Sequence, residues 1–166
     1  MDKFIESTAI FSEDKQYRYV LTRRWEEGDK SILWIMLNPS KADQYKLDPT
    51  LTRCLRFSQK FGYNKMIVCN LFALRSTNPK ALYTHEEPIG SENLNYILHE
   101  AQEASKIVLG WGNHSGRDED WKNMLLQGIK GIGKEIYCLG INKNSKAPRH
   151  PLYMRSDSKL QQFLLK

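Results

Sequence analysis

No apolar stretch in the chain approaches the ~20 residues that a membrane-spanning helix needs. The opening Met1-Asp2-Lys3-Phe4 has no basic region followed by an apolar core. A cytoplasmic protein with no membrane contact is expected. Cysteine is scarce: Cys54, Cys69 and Cys138 lie far apart without CxxC spacing, and two of them sit inside apolar runs. That pattern argues against disulfides and against a cysteine-ligated metal, so the three read as reduced, buried thiols. There is no HExxH and no His-x-Glu with PCxxC, so no zinc site is expected. Gly131-Ile132-Gly133 precedes its strand instead of following one, and the dinucleotide fingerprint is not met. No cofactor is expected. No repeat, low-complexity tract or linker interrupts the chain, and 166 residues of which 40% are hydrophobic can fill one core. A single domain over residues 1–166, and a monomer, are expected.

What is present begins with charge. A formal net charge of +6 favours a polyanionic partner, because clustered Lys and Arg gain affinity by releasing counterions from phosphates. Solubility alone explains many basic proteins, so placement matters more than the total. Arg53, Arg56, Arg75, Lys80, Arg117, Lys143, Lys146, Arg149 and Arg155 lie in or near the segments that carry the polar motifs described below. They suggest a basic rim around a crevice.

Tyr17 to Leu21 and Ser31 to Leu37 are β-rich and flank the turn-like Glu26-Glu27-Gly28-Asp29-Lys30, an antiparallel entry into a sheet. Asp48-Pro49 reads as an N-cap followed by proline at the first helical position. Leu51, Cys54, Leu55 and Phe61 keep helical spacing until Gly62 stops it. Met66 to Asn70 is the next strand. Ser91 caps a second helix through Leu94, Ile97, Leu98, Ala101 and Ala104, and Ile107 to Trp111 is the third strand. A helix over Asp118 to Ile129, a strand over Glu135 to Gly140 and a terminal helix over Asp157 to Leu165 complete the chain. This alternation predicts an α/β fold, a three-layer α/β/α sandwich around a central, mainly parallel four-stranded sheet.

Four polar motifs each follow an apolar run: Leu37-Asn38-Pro39-Ser40, Cys69-Asn70-Leu71-Phe72, Gly110-Trp111-Gly112-Asn113-His114 and Arg149-His150-Pro151-Leu152-Tyr153. On parallel strands all four meet at one sheet edge, where open α/β folds bind ligands. Taken singly, Asn38-Pro39 would end a strand, Asn70 would satisfy loop backbone, Trp111 would be core, and His150 would order its loop. Their joint placement is what points to a site.

The pattern LNPS with a downstream DPT, then NLFALRS, WGNHS and PRHPLY, is identified as that of an uncharacterised bacterial family of unknown function. The same motifs resemble the uracil-DNA glycosylase superfamily, whose first-strand GINPG or GQDPYH, second-strand Asn, third-strand LLWG and final HPSP or NPSG loop build a base pocket. The resemblance implies a uracil-DNA glycosylase-like fold. It implies that Asn38 positions the attacking water, that Asn70 reads a pyrimidine edge, and that Trp111-Gly112 stands for the third-strand WG. It further implies that His150 supports negative charge on the departing base and that Leu152 enters the minor groove.

Cleavage of an N-glycosidic bond passes through an oxocarbenium-like sugar, so a placed water and donors for the leaving base suffice once the base is extruded. Asp43 or Asp48 could supply a carboxylate. Ser40, Trp111 and Asn113 complete the base-binding set, and Arg75, Lys143, Lys146, Arg149, Leu152 and Tyr153 the DNA-binding set. Where GQDPYH enzymes carry a blocking Tyr, this chain has Ser40, Lys41 and Ala42. The expected activity is therefore excision of a modified pyrimidine from duplex DNA, such as glucosylated hydroxymethylcytosine of phage DNA, as antiviral defence. The alternatives are a nucleoside- or nucleotide-processing enzyme and a non-catalytic binder of modified or damaged DNA.

Overall fold

A computed structural model describes residues 3–40, 45–113 and 118–164. The elements in chain order are β1 (Glu6–Phe11), β2 (Arg18–Arg24), β3 (Ser31–Met36), α1 (Pro49–Lys60), β4 (Lys65–Asn70) and α2 (Ala81–Thr84). They continue with α3 (Asn93–Glu103), β5 (Lys106–Leu109), α4 (Glu119–Gly131), β6 (Tyr137–Cys138), a 3-10 turn over Pro151–Tyr153 and β7 (Gln161–Gln162). All seven strands form one sheet in the order β1-β2-β4-β3-β5-β6-β7.

The expected four-stranded, mainly parallel sheet is thus replaced by a seven-stranded mixed one. β4, β3, β5 and β6 run parallel, while β1 with β2, β2 with β4, and β6 with β7 are antiparallel. The physical reasons are local. β1 is an edge strand with only alternate positions shielded, so its weak apolar signal hides it in the sequence. β2 pairs with β4 and not with β3, so the Glu26 to Lys30 segment crosses over β4 instead of closing a hairpin. Among the described residues the terminal helix expected over Asp157 to Leu165 does not form: Gln161–Gln162 instead gives the short β6 an antiparallel partner, and Leu165 lies outside the described residues. Leu160 and Phe163 supply helical spacing, but both pack against the sheet from an extended segment. Ser91 lies two residues ahead of α3, whose N-cap Glu92 makes no side-chain cap.

The α1 start does match its sequence signals, since the Asp48 carboxylate accepts the Leu51 amide at 2.8 Å and Pro49 takes the first turn. Gly62 follows at φ +86°. α1 buries Leu51, Cys54, Leu55 and Phe57 with Ile32, Trp34, Met66 and Val68 on one face of the sheet. α3 and α4 bury Ile97, Ala101, Trp121, Leu125 and Ile129 with Leu33, Ile35, Ile67 and Cys69 on the other. Alternate residues of β3 and β4 therefore serve two cores, the pattern of a sheet covered on both faces. Cys54, Cys69 and Cys138 are buried and unpaired, and burial pushes all three thiols up.

Two buried donors hold the carboxyl end of β4. Asn93 Nδ2 donates to Asn70 O at 2.9 Å and to Leu71 O at 3.2 Å, and Trp121 Nε1 donates to Leu71 O at 2.8 Å. Asn93→Ala is expected to lower stability by about 1–3 kcal/mol, because buried carbonyls lose a donor. An unchanged urea midpoint would refute this anchoring role.

Candidate functional site

The four parallel strands end at Met36, Asn70, Leu109 and Cys138, on one edge of the sheet. Backbone bonds stitch the following segments together: Phe72 N to Leu37 O, Ser76 N to Pro39 O, and Gly112 N to Pro148 O. Glycine is required twice. A Cβ on Gly110 would lie 2.9 Å from Met36 Sδ and 3.0 Å from Pro151 Cδ. Gly112, at φ +72°, would place one 3.2 Å from His150 Cβ. The third and fourth motifs can touch only because these positions lack side chains.

A cleft of about 290 Å³ opens at this edge, lined among others by Arg18, Asn38, Ser40, Asp48, Asn70 and His150. Four separate segments named in the sequence thus meet here. Trp111 and Asn113 do not line it; they face an adjoining space of about 540 Å³ with Gly112, Asn142, Arg149, Leu152 and Tyr153. The two spaces share Leu37, Thr50, Pro79 and His150 as a common wall. Trp111 is 4% exposed and mainly core, whereas Asn113 Oδ1 accepts from Asn142 Nδ2 and Ser145 Oγ. Asp43 and His114 lie outside the described residues.

Asn38 Nδ2 donates to Ser76 O at 2.9 Å and Pro39 O at 3.2 Å. Both amide protons are committed to backbone, leaving Oδ1 as the atom that can orient a ligand or water. Asp48 uses one carboxylate oxygen to cap α1. His150 Nδ1 accepts the Leu152 amide at 3.2 Å, which places the proton of the neutral ring on Nε2. Burial pulls this imidazole below its ordinary value, against the pull of Asp48. The ring is consequently a neutral donor near pH 7.

The sequence reading missed Arg18. It opens β2, is 1% exposed, and its Nε and Nη1 have no hydrogen-bond partner. Burial pulls its guanidinium down to about 10, partly offset by Asp48, so the group is charged at neutral pH. Asn70, also 1% exposed, leaves Nδ2 without a partner. The only available signal was an Arg at the head of an apolar run, which ordinarily reads as a solvated strand end.

The basic rim is thinner than expected. Arg53 is a clamp: it donates to Pro151 O, Ser156 Oγ and Met154 O, and stacks over Phe57 at 5.1 Å. Arg75 lies over the Phe11 ring at 4.8 Å and donates to Lys15 O, and Arg155 pairs with Asp157. Lys143, Lys146 and Arg149 are exposed, while Arg117 lies outside the described residues. Leu152 and Tyr153, 42% and 76% exposed, form an apolar tip on the Pro151–Tyr153 turn. Among the described residues no group of three His, Cys, Asp or Glu side chains could hold a metal, and no helix is long and apolar enough to cross a membrane.

Residues 18–152 match the model of a family described as protein of unknown function (DUF1643). No curated protein and no solved structure matches the chain.

Asn38→Asp is expected to destabilise the protein by about 1–3 kcal/mol, more than Asn38→Ala, because a carboxylate would face the Pro39 and Ser76 carbonyls. Equal melting temperatures for the two variants would remove this loop-tying role. The depressed His150 pKa means that the unfolded chain takes up a proton before the folded one does, so stability falls as pH is lowered through and below the ordinary imidazole range. His150→Asn keeps an acceptor for the Leu152 amide, and its urea midpoint should fall less than that of the wild type between neutral and mildly acidic pH. Parallel falls would contradict the assignment.

Proposed function

We propose that the chain, which belongs to the DUF1643 family of proteins of unknown function, is a monofunctional DNA glycosylase. On this reading it flips a modified pyrimidine out of duplex DNA and hydrolyses its N-glycosidic bond, leaving an abasic site. One observation carries the reading: Asn38, Asp48, Asn70 and His150, from four separate segments, line one cleft at the carboxyl edge of the parallel strands. The likeness of the motifs to those of the uracil-DNA glycosylase superfamily supplies the roles.

As the C1′–N1 bond breaks, its electron pair leaves with the base, and the sugar becomes an oxocarbenium ion. A water held by Asn38 Oδ1 bonds through oxygen to C1′, and one of its protons passes to the base or to solvent. Neutral His150 donates from Nε2 to the departing base, and Asp48 lends negative charge near the cationic sugar. Asn70 reads the base edge. Leu152 and Tyr153 fill the gap in the stack, and Lys143, Lys146 and Arg149 meet phosphates. The adjoining space of about 540 Å³ offers room for a large 5-substituent, in line with Ser40 standing where a blocking Tyr would be. Glucosylated hydroxymethylcytosine of phage DNA is such a base, and its removal would be a defence against phage.

The test is to incubate purified protein with unmodified DNA, uracil-containing DNA and glucosylated hydroxymethylcytosine phage DNA, then score abasic sites and identify released bases by mass spectrometry. Release from the glucosylated DNA alone supports the reading. Release of uracil with the glucosylated base left intact rejects the large-substituent part. No release from any DNA transfers the site to a nucleotide-processing enzyme or a non-catalytic binder. In the DNA that is cleaved, His150→Ala should slow release by about 100-fold to 1000-fold. Asn38→Ala should abolish release with little loss of DNA affinity.

A further inference from the structure

We infer that Arg18 and Asn70 form a buried anion-accepting floor in this cleft, built to receive the negatively charged edge of a pyrimidine ring. The inference rests on the proposed base-excision reading and adds to it the group that meets the leaving base. Arg18 has no ion pair among the described residues, and its Nε and Nη1, like Asn70 Nδ2, are buried without hydrogen bonds. An unpartnered cation at 1% exposure is a costly arrangement, and each unmade bond adds to it. The protein retains three unused donors and one positive charge in a single cleft, whose lining also carries the Asp48 carboxylate.

The chemistry of those donors selects the ligand. All three unused atoms donate, so the complementary group must accept and gain most when it carries negative charge. Met36, Leu37, Leu51 and Pro79 line the same cleft, a surface that suits a flat ring better than a hydrated phosphate. A pyrimidine leaving through its ring nitrogen presents this combination: apolar faces, carbonyl and ring-nitrogen acceptors, and a full negative charge at the moment of departure. Arg18 thereby joins His150 in stabilising the anion, with the charge that neutral His150 lacks.

Barbiturate is the probe, because it is a pyrimidine ring that is a monoanion at neutral pH, and uracil is its neutral counterpart. Wild-type protein should bind barbiturate at least about tenfold more tightly than uracil or inorganic phosphate in calorimetry. The Arg18 Nε–H resonance should move on titration of the wild type. Arg18→Gln should bind barbiturate and uracil equally, Arg18→Lys should keep part of the preference, and Asn70→Ala should weaken barbiturate binding. Equal binding of barbiturate and uracil by the wild type, a preference for phosphate, or an Arg18 resonance that stays in place would each overturn the inference. If Arg18→Gln does not fold, the wild-type resonance and Asn70→Ala still decide. Barbiturate binding through Arg18 without base release from any DNA would reject the glycosylase reading and leave this site standing. Base release without barbiturate binding would do the reverse.

Discussion

The carbonyl groups of Asn70 and Leu71 fix the geometry on which the rest of the site depends. Asn93 from α3 reaches both and Trp121 from α4 reaches Leu71 O, so the carboxyl end of β4 is pinned by two helices on one face of the sheet. β4 itself lies between antiparallel β2 and parallel β3. Fixing β4 therefore fixes what its neighbours bring: Arg18, whose backbone amide donates to Ala73 O just beyond Asn70, and Asn38, tied to Ser76 in the loop that follows. Each bond contributes only about 1 kcal/mol net, but a buried carbonyl stripped of its donors costs more than that, and this asymmetry makes the arrangement stiff.

This stiffness supports groups that folding alone would not retain. Replacing Arg18 by an apolar residue of similar size would relieve a buried, unpaired cation, and replacing Asn70 would relieve an unbonded amide. Marginal stability tolerates few such liabilities, so their presence in one cleft sets it apart from the adjoining space, where Asn113 Oδ1 accepts from Asn142 and Ser145. Three buried donors without hydrogen bonds line this one cleft.

Much of this was legible in sequence where local rules suffice. The Asp48-Pro49 cap, the Gly62 stop and the apolar runs that form β4 and β5 follow from propensity and period, though β5 ends at Leu109 short of the expected Trp111, and they bring Asn38, Asn70 and His150 to one edge. What escaped depends on tertiary context. β1 and β7 are held by pairing with a neighbour more than by their own pattern, and the Leu160 to Leu164 segment carries helical spacing but lies where β6 needs a partner. Arg18 was invisible because only the strand order reveals that the head of β2 is covered. Arg53 belongs by position to the suggested basic rim, yet its hydrogen bonds go to the final loop.

That final loop joins the two halves of the proposed chemistry. The Pro151–Tyr153 turn carries Leu152 and Tyr153 at its tip, and His150 sits immediately before it with Nδ1 bonded to the Leu152 amide. Arg53 and Lys60 grip the same stretch from α1 through carbonyls of Pro151, Met154 and Ser156. An apolar tip pressed into a base stack would then transmit its displacement along one short covalent segment to the imidazole, against a clamp anchored in a core helix. Under the base-excision reading, the tip that fills the stack and the His150 that meets the base belong to one clamped segment, so filling an opened stack and meeting the flipped base go together. Discrimination would then arise from how readily a base pair opens as well as from the fit of the base itself, which favours pairs weakened by damage or modification.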